Sequence, residues 1–449
     1  MIKYILNRIA LMLPTFFAAT FIVFVILNLA PGGPFERAVM QLKAGRMMGG
    51  GEGGAGGGRS GAGGSETLTA EQLDQLRKQY GLDKPLPIRY LIWLGLYPRT
   101  VIEKTVALND GFRNNLKYID VESKVYRLQQ WVRLTNEGGK LQVQKSGIGS
   151  DFKFAENYEE LPDMAQVGQW YPSNDFDVED LKNGQYLVSQ KKFSGILTGD
   201  LGISSVYERP VIELITQRLP ISSYFGILGF ILSYLVCIPL GISKAIRHNT
   251  TYDFLTSALV FAGYAIPGFA LGSLLLVLFG GGSFWDIFPL GGFHSPSAIW
   301  NNLSFLGKIK DQVWHTILPI VCYMIGSFAT LTILMKNSLM ENFNQDYVRT
   351  AFAKGLPPNK VIYQHALRNS LIPLVARIGT AIGVVMAGDF FIEKVFNIDG
   401  LGMLGYKAII QADYPIVMGE IAISVLILLV GNLISDLIYV SVDPRISLD

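Results

Sequence analysis

The stretch NQDYVRTAFAKGLPPNKVIYQHALRNSLIP, residues 344–373, decides how the rest of the chain is read, because it is polar and basic yet lies between two strongly apolar runs. It fits two short helices with a break between them. In the first, Asn344 can cap the N-terminus, Tyr347, Val348, Ala351 and Phe352 share a face at i, i+1, i+4 and i+5, and Gly355 supplies a stop. Leu356-Pro357-Pro358 forbids continuation, since proline has no amide proton and disfavours helical backbone at the residue before it. Asn359 can cap a second helix, in which Val361, Ile362, His365 and Ala366 repeat the stripe while Lys360 and Arg368 stay off it. Isolated helices shorter than about 12–15 residues are marginal in water. Both must therefore pack on something.

The surroundings say what that something is. Half of the 449 residues are hydrophobic, 16% are charged and the mean hydropathy is +0.32, which places the chain in a membrane. The net charge of +2, without a basic patch interleaved with aromatics, gives no support to a nucleic-acid partner. Cys237 and Cys322 fall in apolar runs and read as small buried hydrophobes, and four scattered histidines do not support a metal site.

Six apolar runs are long enough to span: Ile9–Leu29, Ser223–Ser243, Phe254–Phe279, Val313–Met335, Leu371–Ile392 and Ile416–Val440. The first exceeds the hydrophobic region of a secretory signal and reads as an uncleaved span. Lysine and arginine accumulate in the inner loops of membrane proteins. Lys3, Arg8, Lys244, Arg247, Lys336, Arg349, Lys354, Lys360, Arg368 and Arg445 then fall inside, against Lys308, Lys310, Lys394 and Lys407 outside. Both termini are expected in the cytoplasm, together with the 344–373 elbow.

Residues 35–96 read as an extracytoplasmic linker, following an N-terminal span and outer turn at 1–34. It contains the low-complexity run GGGEGGAGGGRSGAGGS at 49–65, a flexible coil without the Gly-Lys-Ser/Thr of a phosphate loop, and a helix capped at Thr69. Residues 97–192 mix Trp131, Trp170, Tyr158, Tyr171 and Tyr186 with many charges, and Lys140–Lys145 and Gln185–Lys192 fit strands. This segment reads as a small inserted subdomain, α/β or mixed. Residues 193–449 form the core, with five spans and the elbow.

The elbow carries a resemblance. Asp346-Tyr347-Val348-Arg349-Thr350-Ala351, Ala353-Lys354-Gly355 and His365-Ala366-Leu367-Arg368-Asn369 resemble the EAA loop of binding-protein-dependent ABC-transporter permeases, in the variant of the peptide and nickel importers. Arg349 and Thr350 replace the name-giving Glu and first Ala, and Arg368 replaces the usual Pro, as in the peptide branch. Gly263-Tyr264-Ala265-Ile266-Pro267-Gly268-Phe269, Gly280-Gly281-Gly282-Ser283-Phe284, Phe288-Pro289-Leu290 and Lys336-Asn337-Ser338 resemble the microcin C, or Yej-type, oligopeptide importers more narrowly. The resemblance implies an all-α permease of six transmembrane helices, with a second homologous permease, two ATP-binding domains, an extracytoplasmic binding protein and a peptide substrate as partners. It implies that ATP and Mg are bound by the partner ATPases, which dock on Asp346, Tyr347, Arg349, Thr350, Ala351, Ala353, Lys354, Gly355, His365, Arg368 and Asn369.

Within the spans, Pro239, Pro267 and Pro319 are candidate bend points, because proline frees backbone carbonyls. Tyr264 and Pro267 are candidates for the translocation path, as are Asp389 and Glu393, which lie one turn apart and could meet a peptide amino group. Asp389 and Glu393 also fit structural pairing with Lys394 or with another subunit. Asp399-Gly400-Leu401-Gly402 resembles the Pro-Gly-Leu-Gly outer loop of the family and marks Asp399, Gly400 and Gly402 as an outer gate. Arg377, Glu420 and Asp436 should face protein or water, since a charge at bilayer depth is costly. No Walker A, Gly-x-Ser-x-Gly or His-Glu-x-x-His sequence is present, so no catalytic residue is expected. The competing reading is an ion-coupled secondary transporter, which should show inverted halves; no internal repeat is apparent.

Overall fold

A computed structural model describes residues 2–29, 36, 83–121, 124–137, 140–146, 170–181, 183–282, 284–378 and 388–442. The glycine-rich run, the helix expected from Thr69 and residues 379–387 of the span expected at Leu371–Ile392 lie outside the described residues. The chain divides into two compact units, residues 66–202 and residues 1–65 with 203–449.

In the larger unit the long apolar runs are helices: α1 (Ile2–Leu29), α3 (Val211–Ile246), α4 (Thr251–Ala265), α5 (Gly268–Phe279), α6 (Phe305–Phe343) and α11 (Tyr414–Val442). Four of them are single helices long and apolar enough to cross a bilayer, and α4 with α5 makes a fifth, broken one. The span expected at Phe254–Phe279 is broken at the candidate bend point Pro267: the chain turns by 98° between α4 and α5. Ile266 takes an extended backbone ahead of Pro267, as a residue before proline prefers. Pro239 and Pro319, by contrast, sit inside α3 and α6, which stay helical through them.

α3 and α6 pack along their length. They approach closely because glycine faces a larger residue twice: a Cβ on Gly229 would lie 2.8 Å from Cβ of Tyr323, and one on Gly241 would lie 2.6 Å from Cβ of Met335. α1 lies against α11, where the Asp436 carboxylate accepts from Arg8 Nε at 2.6 Å, so the charge in the last helix finds its partner in the first.

Among the described residues of the smaller unit the first element is α2 (Leu86–Leu94). Seven strands follow: β1 (Arg99–Ala107), β2 (Gly111–Val121), β3 (Lys124–Glu137), β4 (Lys140–Ser146), β5 (Trp170–Pro172), β6 (Asp177–Asp180) and β7 (Gln185–Lys192). They form antiparallel sheets of order β1-β7-β6 and β2-β3-β4-β5. Val106, Val132, Leu134, Val143, Phe176 and Val188 fill one small core. Between 97 and 192 the described elements are thus all strands, and the strands expected at Lys140–Lys145 and Gln185–Lys192 are β4 and β7. The Lys145 ammonium on Asp175 holds that carboxyl below its usual range.

Arg99 pairs with Lys192 in register, so the ends of the strand-bearing segment are neighbours. Antiparallel partners lie about 4.5–5.5 Å apart, a gap that a short linker closes. Replacing residues 100–191 by Gly-Ser-Gly is therefore expected to leave a membrane-inserted, monodisperse protein in detergent. Aggregation or loss of the membrane fraction would show that the helical unit needs the strands to fold.

Candidate functional site

The elbow forms two helical pieces, α7 (Asp346–Ala353) and α8, which opens as Pro358–Lys360, passes through the π-helical turn Val361–Ala366 and closes as Leu367–Ser370. Asn344 does not cap α7; it ends α6, and Gln345 precedes α7 with no side-chain cap. Asn359 likewise lies inside α8, whose first residue is Pro358, a position where the missing amide proton costs nothing. Asp346 in the first turn of α7 opposes the helix dipole. The break is as expected: Gly355 has φ +77° and donates its amide to Phe352 O at 2.9 Å.

One face of the elbow is sealed. Val348, Ala351, Val361 and Ala366 form a core with Met335 and Leu339 of α6, Ile242 and Ala245 of α3, and Leu374. Burying a side chain the size of Val, Leu or Met contributes about 1.5–3 kcal/mol, so this contact exceeds anything the short helices could supply themselves. Ser338 Oγ also donates to Ser370 O at 2.9 Å. The other face is open. Tyr347, Phe352 and Tyr363 are 38%, 46% and 55% exposed in a setting that includes Arg349, Lys354, Lys360 and Arg368, all exposed or half-buried. The stripe read from the sequence is thus half right: Tyr347 and Phe352 point out, and the Tyr347 hydroxyl donates to Asn342 Oδ1 at 2.5 Å. Asp346, Thr350, Ala353 and Gly355 are exposed, His365 is half-buried, and Ala351 belongs to the core. Asn369 lies in the closing turn of α8.

Beside this core lies a buried ion cluster. Lys336 Nζ of α6 donates to Asp253 of α4 at 2.9 and 2.7 Å, and Lys244 Nζ of α3 stands 3.1 Å from the same carboxylate. Lys244 is 1% exposed. It also donates to Asp253 O, Thr256 Oγ1 and Ser257 Oγ.

A second polar centre lies around Glu393. It sits on α9 (Phe390–Val395), which Asp389 caps by accepting from Ile392 N at 3.0 Å. Glu393 is fully buried. It accepts from Ser222 Oγ of α3 and from Met403 N of α10 (Leu401–Ile410), each at 2.7 Å. Gly388 and Gly400 enclose it so tightly that a Cβ on either would come within 2.5 Å of its carboxylate. Asp399, exposed, pairs with Arg218 at 2.8 Å and with Lys407 at 3.6 Å. Gly402 lies against the Phe390 backbone. Glu393, a candidate for the path, thus has Ser222 and the Met403 amide as partners rather than Lys394. Asp389, too, is engaged as a cap and donates its own amide to Tyr323 Oη at 2.9 Å.

Tyr264, 58% exposed, lines an open cavity of about 380 Å³ with Phe261, Ala329, Thr330, Ile333, Leu334, Asn337 and Arg377. Pro267 stands at the turn between α4 and α5 and is the residue preceding α5.

Residues 237–448 match the family described as binding-protein-dependent transport system inner membrane component. A protein of Agrobacterium fabrum named peptidoglycan transport system permease protein YejB is 33% identical over 99% of this chain and 98% of its own length. The chain belongs to the binding-protein-dependent permease family. The inner membrane ABC transporter permease protein YejB of Escherichia coli O157:H7 is similar to this permease at 41% identity over 56% of the chain and 68% of its own. The oligopeptide transport system permease protein AppB of Bacillus subtilis is 35% identical over 59% and 82%. A solved structure titled as inward-facing MetNI methionine ABC transporter aligns with a TM-score of 0.41 at 15% identity, over 52% of the permease and 97% of that chain. The assignment rests on the sequence family, and with it the permease is a multi-pass inner-membrane protein. Sequence reasoning marked the elbow, and it marked Asp399-Gly400-Leu401-Gly402, where Gly400 precedes α10 and Leu401 and Gly402 open it. It missed Asp253, Ser222 and Arg218, whose partners are 83, 171 and 181 positions away. The pairing of cationic Lys244 and Lys336 with the lone acid in TYDF was the available signal.

Proposed function

We propose that this permease imports oligopeptides or peptide-bearing compounds, driven by ATP hydrolysis on partner subunits that dock on the open face of the elbow. The carrying observation is the two-sided elbow: one face is fused to α3 and α6 through a fully buried apolar core, and the other offers Tyr347, Phe352 and Tyr363 beside basic residues. A body so built transmits a push from a partner to two long helices. The permease then cycles between inward and outward openings with a second permease, two ATP-binding domains carrying ATP and Mg, and an extracytoplasmic binding protein. Termini and elbow lie in the cytoplasm, in keeping with the lysine and arginine distribution, and the strand-bearing unit lies outside.

The names of the similar proteins support a peptide class, and the one matched over nearly the whole chain is named for peptidoglycan transport. Microcin C is the narrower substrate to which the sequence resemblance points. The test is uptake by the assembled complex of labelled tri-alanine, a muropeptide and microcin C, each against a free amino acid. Uptake of at least one of the three above the amino acid supports the reading. Uptake of the amino acid alone refutes the peptide class.

A further inference from the structure

We propose that the Lys244–Asp253–Lys336 cluster is the positioning device that makes α4, and with it one wall of the Tyr264 cavity, follow the elbow; this rests on the ABC-permease reading above. The observation behind it is how little else holds α4. Of its 15 residues only Asp253 and Val260 are buried. The first of these is the ion at its elbow end.

The placement of the two lysines makes the connection mechanical. Lys336 follows Met335 and precedes Leu339, both fully buried in the elbow core, and Lys244 lies between Ile242 and Ala245 of the same core. The same two turns of α3 and α6 thus offer apolar side chains to the elbow and ammonium groups to α4. On the far side α4 contributes Phe261 and Tyr264 to the cavity. Elbow, cluster and cavity form one chain of contacts through α6, which also contributes Ala329, Thr330, Ile333, Leu334 and Asn337 to the cavity.

Burial of charge suits a link better than it suits stability. Desolvating an ion pair offsets most of its attraction, so an apolar contact of the same volume would stabilise the fold as well or better. Apolar contacts slide. A carboxylate bound by two ammonium groups, Asn249 N at 3.3 Å and His248 Nδ1 at 3.3 Å has one seat, and leaving it strands two cations. Displacement of α6 by the elbow therefore carries α4 with it.

The experiment uses the assembled complex in proteoliposomes with labelled tri-alanine. Wild type must couple hydrolysis to uptake; a wild type that does neither refutes the ABC reading and leaves the cluster out of account. Asp253→Asn keeps the shape and removes the charge. It is expected to retain most hydrolysis while uptake falls about tenfold, well within the 5–150-fold span of intramolecular coupling. Asp253→Glu, which restores the charge, is expected to recover uptake in part. Should Asp253→Asn fail to fold, the double variant Asp253→Asn/Lys336→Met, with one stranded cation removed, takes its place under the same criterion. A merely structural cluster predicts that hydrolysis and uptake fall in proportion. That result, or uptake within about twofold of wild type, overturns the proposal.

Discussion

Gly355→Val is expected to separate ATP hydrolysis from transport, leaving a complex that assembles and turns over nucleotide but moves little substrate. The cause is backbone and not space. Gly355 has φ +77°, and a Cβ placed on it would meet no atom within 4 Å. An L-residue held in this left-handed region costs on the order of 1–3 kcal/mol, most for a β-branched one. The strained turn relaxes by rotating, which disturbs the amides of Gly355 and Leu356 that donate to Phe352 O and Ala351 O at the end of α7. α7 and α8 then lose their fixed relation, while their separate contacts with the α3–α6 core persist. Asparagine tolerates this conformation better than alanine or valine. The ratio of uptake to hydrolysis should accordingly decline in the order Gly, Asn, Ala, Val, by about tenfold at the end of the series. An unchanged ratio for Gly355→Val would remove the elbow from the coupling path.

Gly400→Val is expected to act at the other polar centre and to destabilise the fold itself. A Cβ at position 400 would lie 2.4 Å from Glu393 Oε1 and 2.5 Å from Cδ, in a pocket with no room for retreat because Gly388 closes the other side. Overpacking costs about 1–3 kcal/mol, and a buried carboxylate pushed off its donors loses hydrogen bonds worth about 1.5–3 kcal/mol each. Ser222 would be left between Glu393 and Leu401 N, to which it is bonded at 2.7 Å on both sides. The measurement is thermal unfolding in detergent of Gly400→Val, Glu393→Ala and the double variant. Since the clash exists only while Glu393 is present, the double variant should be less destabilised than the sum of the two singles, by about 1 kcal/mol or more. Additive effects would show that the loop is not seated on Glu393.

The elbow was legible because its determinants are local. Gly355, the Pro357-Pro358 pair and the alternation of apolar and charged residues lie within one short stretch, and each acts on its neighbours. The caps were misread for the same reason that they are local: Asn344 lies between the end of α6 and the start of α7, and it ends the former. The break at Pro267 was visible as a bend point, but its size depends on how α4 and α5 pack, and a proline reports only that a break is allowed. The ion cluster and the Glu393 seat were missed because no local pattern joins Asp253 to Lys336 or Ser222 to Glu393, 83 and 171 positions apart. Lys244 and Lys336 were read as inner-loop charge, and in the fold the first is buried, the second half-buried, and both pair with Asp253. In the smaller unit β4 and β7 were read from their composition. β2 and β3, paired at ten positions with a register shift between Asn115 and Lys117, depend on cross-strand pairing that the chain shows only once folded.

The central claim is that a nucleotide-driven partner grips this permease by its elbow, and Thr350→Cys tests it directly. Thr350 is exposed and bonds to Asp346 O of its own helix, and Cys237 and Cys322 are buried, so a bifunctional maleimide should react at position 350 alone among the three. In the assembled complex the reagent should join the thiol introduced at position 350 to the ATP-hydrolysing subunit and abolish uptake. Uptake at the full rate after a bulky maleimide has saturated that thiol, with no cross-link formed, would contradict the account.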